Sequence, residues 1–250
     1  MKNILISGAS RGIGWALVQK YLQNGNRVFA VSRNISNFIT LKEQFPTTFD
    51  FASCDVSDKS DVENAIQNAG NFLNKIDLAI LNAGISGSEN FENFSSEKYK
   101  YIFNTNLFGV LHFFEYFIPS MKNNNGGTIA VTSSLADVRG FAGSAAYSSS
   151  KAALTRTLEA ARAELHRFNI KIVTIRPGFV RTDMTAKNRF PMPFMIDAGQ
   201  AAEIIINALD AGKARINFPL PTYLITNLLQ LMPDALFDFV MKFYKVSIDE

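Results

Sequence analysis

The chain has 250 residues, of which 47% are hydrophobic and 19% are charged, so it is long enough for a large domain with a well-buried core and shows no sign of disorder or of a fibrous fold. Its net charge of +3 comes from 25 basic and 22 acidic residues without a polybasic run, a composition that does not favour nucleic-acid binding. Cys54 is the only cysteine, which excludes an intrachain disulfide and a cysteine-based metal site and makes a cytoplasmic location the expectation.

Short apolar runs alternate with longer segments of helical period along the chain. The predicted strands are residues 3–7, 27–32, 48–52, 78–82, 128–132, 171–176 and 215–218. The predicted helices are residues 13–24, 36–44, 59–73, 95–122, 147–168 and 198–211. This alternation predicts an α/β fold, a doubly wound Rossmann-like domain with a seven-stranded parallel sheet and helices on both faces. We expect one domain over residues 1–250, with a core at 1–217 and an apolar helical flap at 218–250.

A glycine-rich turn follows the first predicted strand directly and opens the first predicted helix. The residues of this turn that are expected to contact a cofactor are Gly8, Ser10, Arg11, Gly12, Ile13 and Gly14. Glycines allow a tight turn and let phosphate oxygens approach the free N–H groups of a helix N-terminus, where the helix dipole favours an anion. The spacing is G-x-x-x-G-x-G and differs from the G-x-G-x-x-G of the common dinucleotide motif. The position between a strand and an amphipathic helix nevertheless predicts a phosphate site.

Positive charge dominates the N-terminal segment, because residues 1–42 contain six basic residues and no acidic one. The second predicted strand ends at Ser32 and Arg33, where dinucleotide-binding folds usually have an acidic residue for the ribose 2′-hydroxyl. Arg33 and Arg11 could instead bind a 2′-phosphate with their planar donors. The sequence therefore favours NADP(H) over NAD(H), although Arg33 could also be a solvated residue of the loop.

Tyr147 and Lys151 are four residues apart in a predicted helix, so their side chains share one face. A nearby cation favours the phenolate, and Lys151 is therefore expected to lower the pKa of Tyr147 from its reference near ~10. The same spacing occurs by chance in many helices. Its significance depends on the motifs that accompany it.

Further motifs follow one another in a fixed order. They are Asp55 and Val56 after the third strand, Asn82, Ala83 and Gly84 at the fourth, Asn106 in the long helix, Ser134 thirteen residues before Tyr147, and Pro177, Gly178, Val180 and Thr182 after the sixth strand. Together with the glycine turn and the tyrosine–lysine pair, these motifs resemble those of the short-chain dehydrogenase/reductase family over residues 2–216. The resemblance implies an oxidoreductase that transfers a hydride between a nicotinamide and a carbonyl or alcohol.

The resemblance also implies a role for each motif. Tyr147 would give a proton to the carbonyl oxygen and Ser134 would hold that oxygen, which suits a reaction in which negative charge builds there. Lys151 would lower the tyrosine pKa and bind the nicotinamide ribose, and Asn106 would position a relay water. Asp55 and Val56 would hold the adenine ring, Asn82, Ala83 and Gly84 would line the cofactor cleft, and Pro177, Gly178, Val180 and Thr182 would seat the nicotinamide.

The C-terminal tail is apolar and aromatic but is interrupted by prolines, and its run at 224–232 is well below the roughly 20 residues that span a bilayer. We expect a helical flap over the substrate cleft or against another subunit. The alternative is a membrane-facing surface that uses Phe237, Phe239, Val240 and Phe243. An apolar loop at 184–196 could form a lid, and with Leu135, Val138 and Phe141 it favours a hydrophobic carbonyl substrate.

The sequence also leads to expectations about subunit assembly, metal binding and alternative functions. By resemblance, the long helices at 95–122 and 147–168 would pair subunits in a homodimer or homotetramer. His112 is expected to be packed and His166 to lie near a helix end. Because the sequence has no further cluster of His or Cys residues, we predict no metal site. The rival functions are a dinucleotide-binding sensor without catalysis and a membrane-associated reductase of lipids.

Overall fold

Parallel strands form the central sheet of the computed structural model, which describes residues 1–87, 91–188 and 190–242. The strands are β1 (Asn3–Ser7), β2 (Arg27–Ser32), β3 (Phe49–Ser53), β4 (Leu78–Leu81), β5 (Gly127–Thr132), β6 (Ile170–Pro177), β7 (Val180–Arg181), β8 (Ile196–Asp197) and β9 (Arg215–Phe218). Within the described residues, a seven-stranded sheet has the order β3-β2-β1-β4-β5-β6-β9, and β7 pairs separately with β8. The predicted fold class is confirmed.

Helices cover both faces of this sheet. They are α1 (Gly12–Gln23), α2 (Ser36–Gln44), α3 (Lys59–Leu73), α4 (Ser96–Phe103), α5 (Gly109–Asn123), α6 (Ala145–Leu165), α7 (Ala198–Asp210), α8 (Leu220–Leu231) and α9 (Asp234–Lys242). One apolar core lies between the sheet and α1, α2 and α7, and a second lies between the sheet and α3, α5 and α6. Because both faces are buried, the central strands β1, β2, β4 and β5 carry uninterrupted apolar runs, whereas apolar and polar residues alternate in the edge strands β3 and β9.

The strand register brings the predicted motifs to one edge of the sheet. Ser7 of β1 pairs with Val31 of β2 and with Leu81 of β4, and Leu81 pairs with Val131 of β5. The carboxyl ends of these strands are therefore level. Chain segments that leave those ends meet above the sheet, which is where ligands bind in folds of this kind.

The long helix predicted at 95–122 is interrupted in the structure. Helix α4 ends at Phe103, residues Asn104–Phe108 form a π-helical turn, and α5 continues from Gly109. A π turn widens the helix by one residue and commonly occurs at functional sites. Here it contains Asn106, which is fully buried.

The C-terminal helices α8 and α9 present an unusual distribution of residues. The buried residues of α8 are Thr222 and Thr226, whereas Leu224 and Leu228 are 57% and 66% exposed. In α9, Phe237 is buried against Phe141 and Arg139, which contradicts, for this residue, the alternative of a membrane-facing surface. Phe239 and Val240 are exposed, and Phe243 lies outside the described residues.

No single helix in the described part of the chain has the length and apolar character needed to cross a membrane. Taken together, α8 and α9 meet that requirement in length and composition, but their axes are bent by 119° at the break between them.

Cys54 lies just beyond the end of β3 and is 1% exposed, as expected for a small buried side chain. Burial, together with the nearby carboxylates of Asp61, Asp55 and Asp58, raises the pKa of its thiol to about 12. The thiol is therefore protonated at neutral pH.

Candidate active site

The structure brings Ser134, Tyr147 and Lys151 together at the carboxyl end of β5. Ser134 caps the 3-10 turn Leu135–Val138, accepting a hydrogen bond from the Ala136 N–H at 3.1 Å, and its side chain also bonds to that of Tyr147. Tyr147 and Lys151 share one face of α6, with the Lys151 Nζ 5.9 Å from the centre of the Tyr147 ring. The two side chains therefore lie next to each other, as their four-residue spacing predicts.

The Lys151 ammonium is buried, with 3% of the residue exposed, and donates a hydrogen bond to the Thr132 carbonyl oxygen at 2.8 Å. Burial lowers the pKa of Lys151 to about 8, against the opposing charge of Asp137. For Tyr147 the expectation of a lowered pKa was wrong. Burial raises the pKa of the phenol, the charge of Asp137 raises it further, and the hydrogen bond with Ser134 lowers it only in part.

Asn106 connects α6, which carries Tyr147 and Lys151, to the segment that follows β4. Its Oδ1 accepts from the Ile85 N–H at 2.8 Å, and its Nδ2 donates to the Ile85 carbonyl at 2.9 Å and to the Ser150 Oγ at 3.0 Å. The Ser150 hydroxyl in turn donates to the Tyr147 carbonyl at 2.7 Å. A side chain on Gly84 would lie 3.3 Å from the Asn106 Oδ1 and 3.4 Å from the Lys151 Nζ, so these two groups border the same space.

The glycine turn fits the phosphates of a dinucleotide. Gly8 and Gly12 have positive φ angles of 63° and 56°, and a Cβ on Gly8 would lie 2.6 Å from the Ala83 Cα. A Cβ on Gly14 would lie 2.3 Å from the Gly8 carbonyl oxygen. Arg11, the N-cap residue of α1, provides no side-chain cap in the described structure, and the first turn has no acidic residue. The first N–H groups of α1 thus remain available to an anion.

Three other side chains of this segment each make a different contact. Ser10 accepts a hydrogen bond from the Ser32 Oγ at 2.9 Å, which ties the turn to the end of β2. Ile13 packs on the core beneath. Arg11 reaches across to Asp183 at 3.1 Å, and both side chains are largely exposed.

Arg33 and Asp55 lie together at the predicted adenosine end of the cleft, 3.7 Å apart. The Arg33 side chain also hydrogen-bonds to Tyr101. The Asp55 Oδ1 accepts from the Ser57 N–H at 3.0 Å and from its hydroxyl at 2.7 Å. The Val56 carbonyl lies 3.1 Å from the His112 Nδ1, so His112 is packed, as expected.

The remaining predicted residues line the same edge. The Asn82 and Ala83 N–H groups both donate to the Ser7 Oγ, at 3.1 and 3.2 Å, and the Asn82 Nδ2 donates to the Gly8 carbonyl at 3.3 Å. On the other side, Pro177 ends β6 and Val180 begins β7. The Gly178 N–H donates to the Phe218 carbonyl at 2.7 Å, and the Thr182 Cγ2 would touch a Cβ on Gly12 at 2.9 Å.

A buried ion pair beneath the site was missed by the sequence reasoning. Asp137 and Arg176 have side chains that are 2% and 13% exposed, and the Arg176 Nε lies 2.9 Å from the Asp137 Oδ2. Asp137 also accepts from the Thr155 hydroxyl at 2.6 Å, which contacts the Ser133 Oγ. Asp137 is the only acidic residue in residues 116–158, and that isolation in an apolar stretch could have identified it.

Comparisons with known proteins agree with this geometry. Residues 2–192 match the family model described as short chain dehydrogenase. An uncharacterized oxidoreductase of Myxococcus xanthus is 32% identical over 240 residues, with 95% of each chain covered. A 3-oxoacyl-[acyl-carrier-protein] reductase of Chlamydia trachomatis is 31% identical over 188 residues, covering 74% of this chain and 76% of its own.

A solved structure supports the fold. The short-chain dehydrogenase/reductase of Burkholderia phymatum in complex with NAD superposes with a TM-score of 0.83 at 19% identity, covering 91% of this chain and 92% of its own. The matching family model and the similarity to these relatives lead to one conclusion. The chain belongs to the short-chain dehydrogenase/reductase family, whose members are oxidoreductases that act on CH–OH or C=O groups with a nicotinamide cofactor.

Proposed function

We propose that this oxidoreductase reduces apolar ketones or aldehydes with NADPH. The observation that carries the proposal is the group formed by Tyr147 with the buried Ser134 and Lys151, next to a glycine turn suited to phosphates. When bound, the cofactor supplies the hydride. The protein's own residues bind the carbonyl oxygen and deliver the proton.

Each side chain has a distinct task in this proposal. Ser134 donates a hydrogen bond to the carbonyl oxygen as negative charge develops there, and Tyr147 transfers its phenolic proton to the same atom. Lys151 stabilises the resulting phenolate, which is needed because burial alone opposes it. Asn106 holds the Ile85 backbone, and its Oδ1 borders the same space at Gly84 as the Lys151 Nζ, where a relay water would sit.

The preference for NADPH is supported by the charges around β2. Arg33 stands where a carboxylate would bind a ribose diol, and Arg11 lies on the turn nearby. Arg33 is paired with Asp55 at 3.7 Å, so a 2′-phosphate would compete with this carboxylate for the guanidinium. Arg33→Ser should therefore lower kcat/KM for NADPH about tenfold relative to NADH, whereas Arg156→Ser, at an exposed position of α6, should not change the ratio.

An apolar substrate is supported by the surroundings of the site. Leu135 is buried beside Ser134, and Phe179 packs against Phe190 of the expected lid with ring centres 6.0 Å apart. The similar Chlamydia protein is a 3-oxoacyl-[acyl-carrier-protein] reductase, which makes acyl-chain ketones a suitable first class to assay.

The direct test is NADPH oxidation by the purified protein with aliphatic aldehydes, aromatic ketones and 3-oxoacyl thioesters. The wild type should turn over at least one class, Tyr147→Phe should abolish turnover because no proton donor remains, and Tyr116→Phe on α5 should be as active as the wild type. NADPH binding without turnover of any class would instead favour the dinucleotide sensor.

The assembly and location of the protein also belong to this proposal. We expect a cytoplasmic homodimer or homotetramer, measurable by light scattering. The exposed Leu224 and Leu228 of α8 favour a membrane-associated reductase as the second candidate. Co-sedimentation with phosphatidylcholine vesicles that is lost in Leu224→Ser/Leu228→Ser would support that candidate.

A further inference from the structure

A hydrogen-bond network beneath the site links the turn that follows Ser134 to the helical turn of Lys151. The network consists of Asp137, Thr155 and Ser133. The Thr155 hydroxyl donates to the Asp137 Oδ2 at 2.6 Å and lies 2.7 Å from the Ser133 Oγ. The Ser133 hydroxyl donates to the Lys151 carbonyl oxygen at 3.1 Å. Ser133, Lys151 and the Asp137 side chain are buried, and a low-dielectric interior strengthens such bonds.

The ion pair with Arg176 fixes the direction of these hydrogen bonds. The Arg176 Nε lies 3.1 and 2.9 Å from the Asp137 Oδ1 and Oδ2, and its Nη2 also bonds to the Oδ1. An ionised carboxylate can only accept, so the Thr155 hydroxyl is the donor in its bond with Asp137. The single Ser133 proton is then shared between the Thr155 Oγ1 and the Lys151 carbonyl. The charge of Asp137 thus sets the direction of every bond in the network.

Each end of the network adjoins a group that the proposed chemistry uses. Asp137 belongs to the 3-10 turn that Ser134 caps, and its N–H donates to the Ser134 carbonyl at 3.3 Å. At the other end, the Lys151 Nζ donates to the carbonyl of Thr132, the residue before Ser133, at 2.8 Å. Lys151 is therefore held to the end of β5 by both its side chain and its backbone.

The network also reaches the segment expected to seat the nicotinamide. Arg176 lies in β6 directly before Pro177, and the Ser133 N–H donates to the Ile175 carbonyl at 2.7 Å. Both contacts attach the end of β6 to the same buried hydrogen bonds. The network therefore joins three parts of the candidate site, namely the turn of the serine, the helix of the lysine and the nicotinamide segment.

We propose that Thr155 is a positioning residue of the active site, whose hydroxyl joins Asp137 to Ser133 and so fixes the turn after the catalytic serine relative to α6. Thr155 acts through these neighbours and not on the substrate. Hydride and proton transfer require close alignment, and a small misplacement caused by a change far from the chemistry can lower the rate by a large factor. The expected effect on reduction rests on the proposed function, whereas the expected effect on the backbone does not.

The test compares Thr155→Val with Thr157→Val, because both changes replace a hydroxyl with a methyl group at a half-buried position of α6. The Thr157 hydroxyl donates within its own helix, to the Ala153 carbonyl at 2.9 Å. Thr155→Val should lower kcat for NADPH-dependent reduction of octanal about tenfold and leave KM for octanal and NADPH affinity in calorimetry within twofold. Thr157→Val should change none of these values. Thr155→Ser keeps the hydroxyl and should restore most of kcat.

Three results would overturn the inference. The first is an unchanged kcat in Thr155→Val, and the second is an equal loss of kcat in Thr157→Val or Thr155→Ser. The third is a shift of the alkaline limb of the pH profile without a lower plateau. Thr155→Val keeps the charge of Asp137 and removes only a hydrogen bond, so a shift of that kind would mean that Thr155 acts on the charge of Lys151 and not on its position.

Amide hydrogen exchange in the free protein separates this inference from the proposed function. Thr155→Val should speed exchange at residues 134–138, whereas Thr157→Val should not. If the wild type does not reduce octanal, the proposed function fails for this substrate, and exchange alone decides the role of Thr155; equal exchange in the two variants overturns it.

A second variant covers the case in which Thr155→Val does not fold. Ser133→Ala removes the other hydroxyl of the network and should lower kcat and speed exchange at residues 134–138 in the same way. Wild-type values of both in Ser133→Ala would overturn the inference.

Discussion

Lys151 combines a buried position with a charge that the proposed chemistry requires. Its place on the same helix face as Tyr147 could be predicted from a four-residue spacing, because helical geometry alone sets which side chains are neighbours. The direction in which the pKa of Tyr147 shifts could not be predicted, because burial depends on how the whole chain packs around the pair. In this case desolvation by burial is the largest influence on the pKa of Tyr147, and it raises that pKa.

A pH dependence follows from the lowered pKa of Lys151. As pH rises through about 8, the protonated fraction of Lys151 falls and the phenolate of Tyr147 loses its stabilising charge. We expect kcat/KM for carbonyl reduction to fall on the alkaline side with a midpoint near that value, and Lys122→Met on the surface to give the same profile. A profile that stays flat to well above this pH would contradict the role of Lys151.

Asp137 should influence both the stability of the fold and this midpoint. Breaking a buried ion pair by removing one partner costs about 3–5 kcal/mol, so Asp137→Asn should lower the free energy of unfolding in urea by that order. Because Asp137 raises the pKa of Lys151, the variant should also shift the alkaline limb to lower pH. Asp137→Asn/Arg176→Met removes both charges and should recover part of the stability; no recovery would mean that the ion pair is not the source of the loss.

At the scale of elements, the turn between β1 and α1 was predictable and the π turn was not. Glycine spacing after a strand reports a local backbone requirement, and Gly8 and Gly12 do have positive φ angles. In the π turn at Asn104–Phe108, Asn106 hydrogen-bonds to Ile85, a contact that joins segments 21 residues apart. Hydrophobic periodicity cannot detect such a contact, because it continues through the turn.

Gly8 and Gly25 allow the effect of a positive φ angle to be distinguished from the effect of a close backbone contact. Both have positive φ angles, of 63° and 74°, but a Cβ on Gly25 would have no atom within 4 Å, whereas one on Gly8 would collide with the Ala83 backbone. Gly25→Ala should cost about 1–2 kcal/mol of unfolding free energy from the backbone strain. Gly8→Ala should cost more and also weaken NADPH binding in calorimetry; equal losses in the two variants would show that the approach to Ala83 is unimportant.

At the scale of the whole molecule, the parallel sheet with helices on both faces could be predicted from the alternation of strands and helices, whereas the position of α8 and α9 could not. A helix with inward threonines and outward leucines reverses the usual pattern, so its orientation cannot be read from amphipathicity. Contacts between distant segments, such as that of Arg139 with Asp234, determine it instead.

The outward leucines offer a test of what surrounds the molecule in solution. Leu224 and Leu228 are 57% and 66% exposed, so Leu224→Ser/Leu228→Ser should leave the urea midpoint unchanged if water surrounds this face. Leu17→Ser, at a fully buried position of α1, is the destabilised reference. A lower midpoint for the double variant would show that α8 is covered in solution.

The rate at which the buried Cys54 thiol is labelled can report how often the edge of the sheet around β3 opens. Thiol reagents attack the thiolate, and with a pKa of about 12 and 1% exposure this residue should react only while the sheet edge around β3 is open. Since the chain has no other cysteine, the labelling rate of the unmodified protein measures that opening alone. If NADPH binds next to Asp55 and Val56, as proposed, it should slow the labelling as its concentration rises, which would report binding without a substrate or a mutation.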